Sequence, residues 1–92
     1  MVEIKISESK TEKGWAFQVT ISNGNSTVHN VNLDNDYYKH LTLPDVEPHK
    51  VVESSFKFLL DREPKEMILS TFDLQIISKY FPEYEKRITE YI

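Results

Sequence analysis

Residues 15–33 read WAFQVTISNGNSTVHNVNL, two alternating runs on either side of Asn23-Gly24-Asn25. Trp15, Phe17, Val19 and Ile21 fall on one side of an extended chain and Ala16, Gln18 and Thr20 on the other, which is the period of a half-buried strand. A two-residue Asn-Gly turn is the usual hairpin connection, but here it sets Phe17 against Asn30 and Trp15 against Asn32, with amides on the apolar face. A three-residue loop instead pairs Trp15 with Leu33, Phe17 with Val31 and Val19 with His29. This second register is the one expected, because a slip of one residue sends every side chain to the opposite face.

Towards the N-terminus, Val2, Ile4 and Ile6 alternate with Glu3, Lys5 and Ser7, and the polar stretch Ser9 to Gly14 marks a hairpin turn. Pairing Ile6 with Phe17 and Ile4 with Val19 aligns the apolar sets and puts the loop tip at Thr11 and Glu12. Residues 1–33 are therefore expected to form a three-stranded antiparallel meander in order 1-2-3. Its most apolar strand is central, and one face needs cover.

That cover has to come from residues 34–92. Asp34-Asn35-Asp36 is a capping cluster before a short helix over Tyr37 to Leu41, and Leu43-Pro44-Asp45-Val46 is a loop. Pro48 opens the best helix, His49 to Leu60, where Val52, Phe56, Leu59 and Leu60 recur at helical spacing with Val51 alongside. Pro64 starts a helix of barely two turns carrying Met67, Ile68 and Leu69, which Ser70 and Thr71 break. Asp73 caps the next, with Leu74, Ile77, Tyr80 and Phe81, and a charged last helix from Glu83 to Ile92 carries Tyr84, Ile88 and Tyr91. The expected fold class is α+β: a three-stranded antiparallel β-meander followed by three to four helices packed on one sheet face. A single domain, 1–92, holds the meander (1–33) and the helical part (34–92).

Composition narrows the functional classes. A chain of 92 residues suits one domain of modest stability. Fifteen acidic against eleven basic residues give a net charge of -4, shared evenly between the two halves, which weighs against a general electrostatic grip on nucleic acid. The lack of cysteine removes disulfides, thiolate metal sites and cysteine nucleophiles, and fits a reducing cytoplasm. MVEIKISESK contains no apolar signal-peptide core and no run approaches a membrane span, so the expected location is cytoplasmic, with no membrane contact. Asn25-Ser26-Thr27 matches a glycosylation sequon but reads as a turn.

Candidate chemistry is sparse. His29, His40 and His49 lie on different expected elements at spacings that match no metal motif, and read as one strand histidine and two exposed ones. Asp34-Asn35-Asp36 begins like an EF-hand loop, but Lys39 stands where that loop needs Gly and Asp45 where it needs Glu. Glu83 with Glu85, and Asp61 with Glu63, read as solvated helix ends rather than catalytic dyads. Two glycines, Gly14 and Gly24, cannot build a phosphate loop. The helix pair 65–81 resembles a helix-turn-helix, with Gln75, Ser78 and Lys79 on the polar side of its second helix. Lys65, Lys79, Lys86 and Arg87 would contact phosphate there, but Glu66, Asp73, Glu83 and Glu85 offset them. Eleven aromatic side chains are many for so small a core, and Tyr37, Tyr38, Tyr80, Tyr84 and Tyr91 cannot all be buried.

Phe58-Leu59-Leu60-Asp61-Arg62-Glu63-Pro64, Ile68-Leu69, Phe72-Asp73-Leu74, Ile77 and Tyr80-Phe81-Pro82-Glu83-Tyr84-Glu85, with the sheet around Gly14-Trp15, carry a further signal. This pattern, which covers nearly the whole chain, resembles a family of small uncharacterised prokaryotic proteins of about this length. The resemblance implies a stand-alone domain and carries over no catalytic or binding residue. In this pattern Pro64 and Pro82 start helices, Asp73 caps one, and Arg62 lies within reach of Glu63 or Glu66 for a local ion pair. The expected function is that of a small non-enzymatic cytoplasmic protein that binds a protein partner or itself, as a homodimer. Gln75, Ser78, Lys79, Tyr80 and Tyr84 form its expected interaction surface, with no catalytic residue, cofactor or metal. The alternative is a DNA-binding regulator or antitoxin-like protein that uses the 65–81 helix pair.

Overall fold

Four strands and four short-to-medium helices make up the chain in a computed structural model that describes residues 2–41 and 46–92. Strands β1 (Glu3–Lys10), β2 (Gly14–Ser22) and β3 (Ser26–Asp34) form the antiparallel meander, and β2 and β3 take the expected register, with Trp15 opposite Leu33, Phe17 opposite Val31 and Val19 opposite His29. A fourth strand, β4 (Thr71–Asp73), joins the outer edge of β3 in parallel, so the sheet is mixed and four-stranded, in order β1-β2-β3-β4. The three-stranded, wholly antiparallel sheet is corrected accordingly.

The β1–β2 register is also corrected. Ile6 lies opposite Val19 and Ile4 opposite Ile21, two residues from the expected pairing. A shift of two keeps every apolar side chain on the same face, so hydrophobic pattern cannot choose between these registers. Turn chemistry does: Thr11 N–H donates to the Gly14 carbonyl at 2.9 Å and Gly14 N–H to Thr11 Oγ1 at 3.1 Å, closing the loop over Glu12 and Lys13.

Helix α1 (Asn35–His40) follows β3 directly, and α2 (Pro48–Leu60) is the longest helix. The expected Leu43–Val46 loop lies, apart from Val46, outside the described residues. At the start of α1 the Asp34 side chain makes no capping bond. The Asn35 N–H is satisfied instead by the Lys13 carbonyl at 2.7 Å, which ties the helix to the β1–β2 turn. In α2 the buried side chains include not only Val51, Val52, Phe56, Phe58 and Leu59 but also Ser54 and Ser55. This helix is covered on two sides, by the sheet and by the C-terminal segment. Ser54 donates to the Tyr91 carbonyl at 3.1 Å. Ser55 donates to the Val51 carbonyl at 2.7 Å, which leaves its oxygen to accept from the Tyr84 hydroxyl at 2.6 Å.

The expected two-turn helix after Pro64 is a single 3-10 turn, Lys65–Met67. Ile68 is already extended, its side chain inside, and the chain runs straight into β4, where Phe72 is buried. Asn30 N–H donates to the Ser70 carbonyl at 2.7 Å, and the buried His29 ring reaches the Leu69 carbonyl at 2.8 Å. A carbonyl can only accept, so His29 Nδ1–H donates, while Nε2 lies 2.9 Å from the Thr27 hydroxyl. After β4 the chain makes a 3-10 turn (Leu74–Ile76), α3 (Ile77–Tyr80), α4 (Tyr84–Arg87) and a last 3-10 turn (Ile88–Tyr91). Asp73 makes no side-chain cap for this run, because it ends a strand. The helices lie on one sheet face; on the other, Gln18, Asn30 and Asn32 are exposed.

Burial of two tyrosines makes stability depend on alkaline pH. Burial, and then the bond to Glu85, push the Tyr37 hydroxyl above the ordinary phenol range; burial does the same to Tyr84, partly offset by its bond to Ser55. Both phenols keep their protons in the folded chain at a pH where the unfolded chain has lost them. The stability they contribute is therefore full below the unfolded value of about 10 and declines as pH rises beyond it. Urea titrations from neutral to alkaline pH are expected to show this decline, reduced in Tyr84→Phe. A stability independent of pH in the alkaline range would contradict it.

Candidate functional site

Pro64 and the extended backbone at Ile68 decide which side chains between the 3-10 turn and β4 reach water. Ile68 is only 6% exposed and Phe72 8%, whereas Met67 is 67% exposed and Leu69 46%. The 3-10 turn leaves Met67 outside, and once the chain extends at Ile68, with its side chain inward, the next residue, Leu69, turns out. Across from them Ile76, at the end of the 3-10 turn Leu74–Ile76, is half-covered, and α3 buries Ile77 and projects Tyr80, at 66% exposure. Between these two segments runs an apolar groove of about 400 Å3 with Leu59, Phe72 and Phe81 in its lining and Glu63 at its rim.

The walls of the groove are packed and hydrogen-bonded from behind. Phe58 stacks edge-on against Phe81, Tyr84 and Tyr91, and the Arg62 guanidinium lies 3.7 Å over its ring. Arg62 also pairs with Glu83 at 3.2 Å and donates to the Tyr91 hydroxyl, which in turn donates to Asp61 at 2.7 Å. The expected local ion pair between Arg62 and Glu63 or Glu66 is thus replaced by a bond across to the C-terminal segment, and Lys65 takes Glu66. Hydrogen bonding from its own backbone N–H, then from Arg62, holds the Glu83 carboxyl below the usual carboxylate range.

The five expected interaction residues separate. Tyr80 is on the groove rim, Lys79 is exposed beside it, and Ser78 is half-buried with its hydroxyl on the Gln75 carbonyl at 2.8 Å. Gln75 borders a different cavity, of about 450 Å3, between the β1–β2 turn and the end of β3, whose lining also includes Glu12, Lys13, Asp34 and Asp73. Tyr84 is fully buried and belongs to no surface. The 65–81 helix pair is not formed either: its first half is a 3-10 turn leading into a strand, and Lys65 is buried. Met67 and Leu69 are the residues that periodicity missed, since a helix through them would have turned at least one inward.

The histidines stay apart. His29 is buried under β4, His40 stacks on Tyr37 and lies 3.2 Å from Glu85, and His49 lies 3.4 Å from Glu47. Among the described residues no three His, Asp or Glu side chains come together as a metal site, and no helix is long and apolar enough to cross a membrane. The chain matches no family model, no curated protein and no solved structure.

Proposed function

We propose that the protein is a non-enzymatic interaction module whose groove receives the apolar face of an amphipathic helix from a protein partner. One observation carries this reading: of six large hydrophobic side chains that are well exposed among the described residues, three, Met67, Leu69 and Tyr80, border the same groove. Apolar side chains scattered singly over a surface need no explanation, but clustered ones do. Methionine adapts to varied partners, and tyrosine brings contact area at low entropic cost. A helix laid in such a groove anchors through residues spaced i, i+3 or i+4, and i+7. At the rim Glu63 makes no ion pair among the described residues, so a Lys or Arg beside the apolar stripe of the partner would meet it.

Selection from a displayed library of helical peptides against the intact chain tests this. Enriched peptides should share an apolar stripe at helical spacing, and Met67→Asp or Tyr80→Ala should weaken their binding about tenfold or more. Gln18→Ala, on the far sheet face, should leave it unchanged. Peptides that bind Met67→Asp and Tyr80→Ala as tightly as the parent chain would remove the groove from consideration.

A further inference from the structure

One edge of the sheet is β4, only three residues long; the other is β1, eight residues long, whose outer side meets no strand among the described residues. A long open edge is a template for pairing. Hydrogen-bonded and non-bonded pairs alternate along an antiparallel ladder. Thr11 donates to Gly14 opposite, so the bonded partners of β2 are Ser9, Ser7, Lys5 and Glu3, and Ile4, Ile6 and Glu8 direct their backbone groups to the open edge. On the inner face of that edge Val2 is 46% exposed and Ile4 and Ile6 are only partly covered. Glu8, further along, is met by His49 of α2 at 4.0 Å. The free portion of the edge is therefore Val2 to Ile6.

We infer that β1 pairs antiparallel with β1 of a second copy of the chain, about a two-fold axis through Ile4. In this register Ile4 lies opposite the partner's Ile4, Val2 opposite the partner's Ile6, and Glu3 opposite the partner's Lys5, the last two pairs occurring twice. The two registers nearest to it set Lys5 against the partner's Lys5 or Glu3 against the partner's Glu3, and like charges directly opposite destabilise a strand pair. Glu3 and Lys5 already meet within their own strand at 3.7 Å, both well exposed, so the dimer closes that pair into a four-membered cluster of alternating charges. The outcome is an isologous interface and a continuous eight-stranded sheet. It uses none of the groove residues.

Sedimentation equilibrium of the full chain across the micromolar range tests the pairing. A monomer–dimer equilibrium is expected. Glu3→Lys alone, or Lys5→Glu alone, turns both cross-strand pairs repulsive and should weaken self-association about tenfold. The double variant Glu3→Lys/Lys5→Glu should restore it. Both side chains are exposed, so the monomer fold, followed by circular dichroism, should not change. Because the chain has no cysteine, Ile4→Cys gives a single thiol near the two-fold axis that should oxidise to a disulfide dimer, whereas Ser9→Cys should not. Met67→Asp should leave the dimer intact. A chain that stays monomeric throughout, single reversals without effect, a double variant that fails to recover, or equal cross-linking from Ser9→Cys would each overturn the inference.

Discussion

Gly14→Ala is expected to destabilise the chain by about 3 kcal/mol or more, through a backbone clash with no side-chain escape. A methyl group at Gly14 would sit 2.1 Å from the Leu33 carbonyl oxygen, 2.9 Å from the Asn35 nitrogen and 3.1 Å from the Asp34 carbonyl carbon. All three are main-chain atoms at the corner where β3 becomes α1. To admit the methyl, that corner must withdraw, which breaks the 2.7 Å bond from Asn35 N–H to Lys13. Gly24 is a control of a different kind: its φ is 104°, yet nothing lies within 4 Å of its absent side chain. Gly24→Ala therefore carries only backbone strain, about 1 kcal/mol. Urea unfolding followed by Trp15 fluorescence separates the two. Equal stabilities for both variants would mean that β2 and the β3–α1 corner are not packed this closely.

Phe58→Ala is expected to cost about 4 kcal/mol, because it removes the side chain on which the helical layer is centred. Phe58 is fully buried, with Tyr84, Phe81 and Tyr91 edge-on to it at centroid distances of 5.3, 5.9 and 5.8 Å. Such aromatic pairs contribute about 0.5–1.5 kcal/mol beyond the area they bury. Truncation also strips the Arg62 guanidinium of its stacking surface. Small domains have total stabilities near the low end of about 5–15 kcal/mol, so the variant should be close to unfolding at ambient temperature. Phe58→Leu keeps most of the volume and should lose about 1.5 kcal/mol. The check is denaturant unfolding with near-ultraviolet circular dichroism. A Phe58→Ala variant within 1 kcal/mol of the parent would show that the cluster contributes little.

Much of the fold was legible in the sequence because burial on one sheet face leaves a period-2 imprint. That imprint placed three strands and selected the β2–β3 register from the clash of Asn30 and Asn32 with an apolar face, while helical spacing after Pro48 marked α2. It failed where two arrangements share a pattern. A shift of two residues in β1–β2 changes no side chain's face, and only the hydrogen bonds of Thr11 and Gly14 distinguish the registers. β4 escaped notice because three residues are too few to show alternation. What pulls Thr71–Asp73 into the sheet is tertiary: the free edge of β3 and the His29 ring, far away in sequence. Of the side chains lining the groove, Tyr80 alone is among the interaction residues expected from sequence. Tyr84 was misplaced because sequence does not show that Ser55, in the middle of a helix, accepts its hydroxyl. The outward turn of Met67 and Leu69 is hidden because Pro64 before them reads as the start of a helix that carries both.

The His29–Leu69 bond joins residues 40 apart and, with β4, stitches the end of the chain into the sheet made by its beginning. The meander and the helical part are therefore not modules that recombination could exchange at a seam near residue 33. Phe72 and Ile68 come from one part and the β3 edge that holds them from the other, so a substitution tolerated in one is conditional on the identity of the other. Cutting the described chain near residue 33 is therefore expected to unfold both parts rather than release either one.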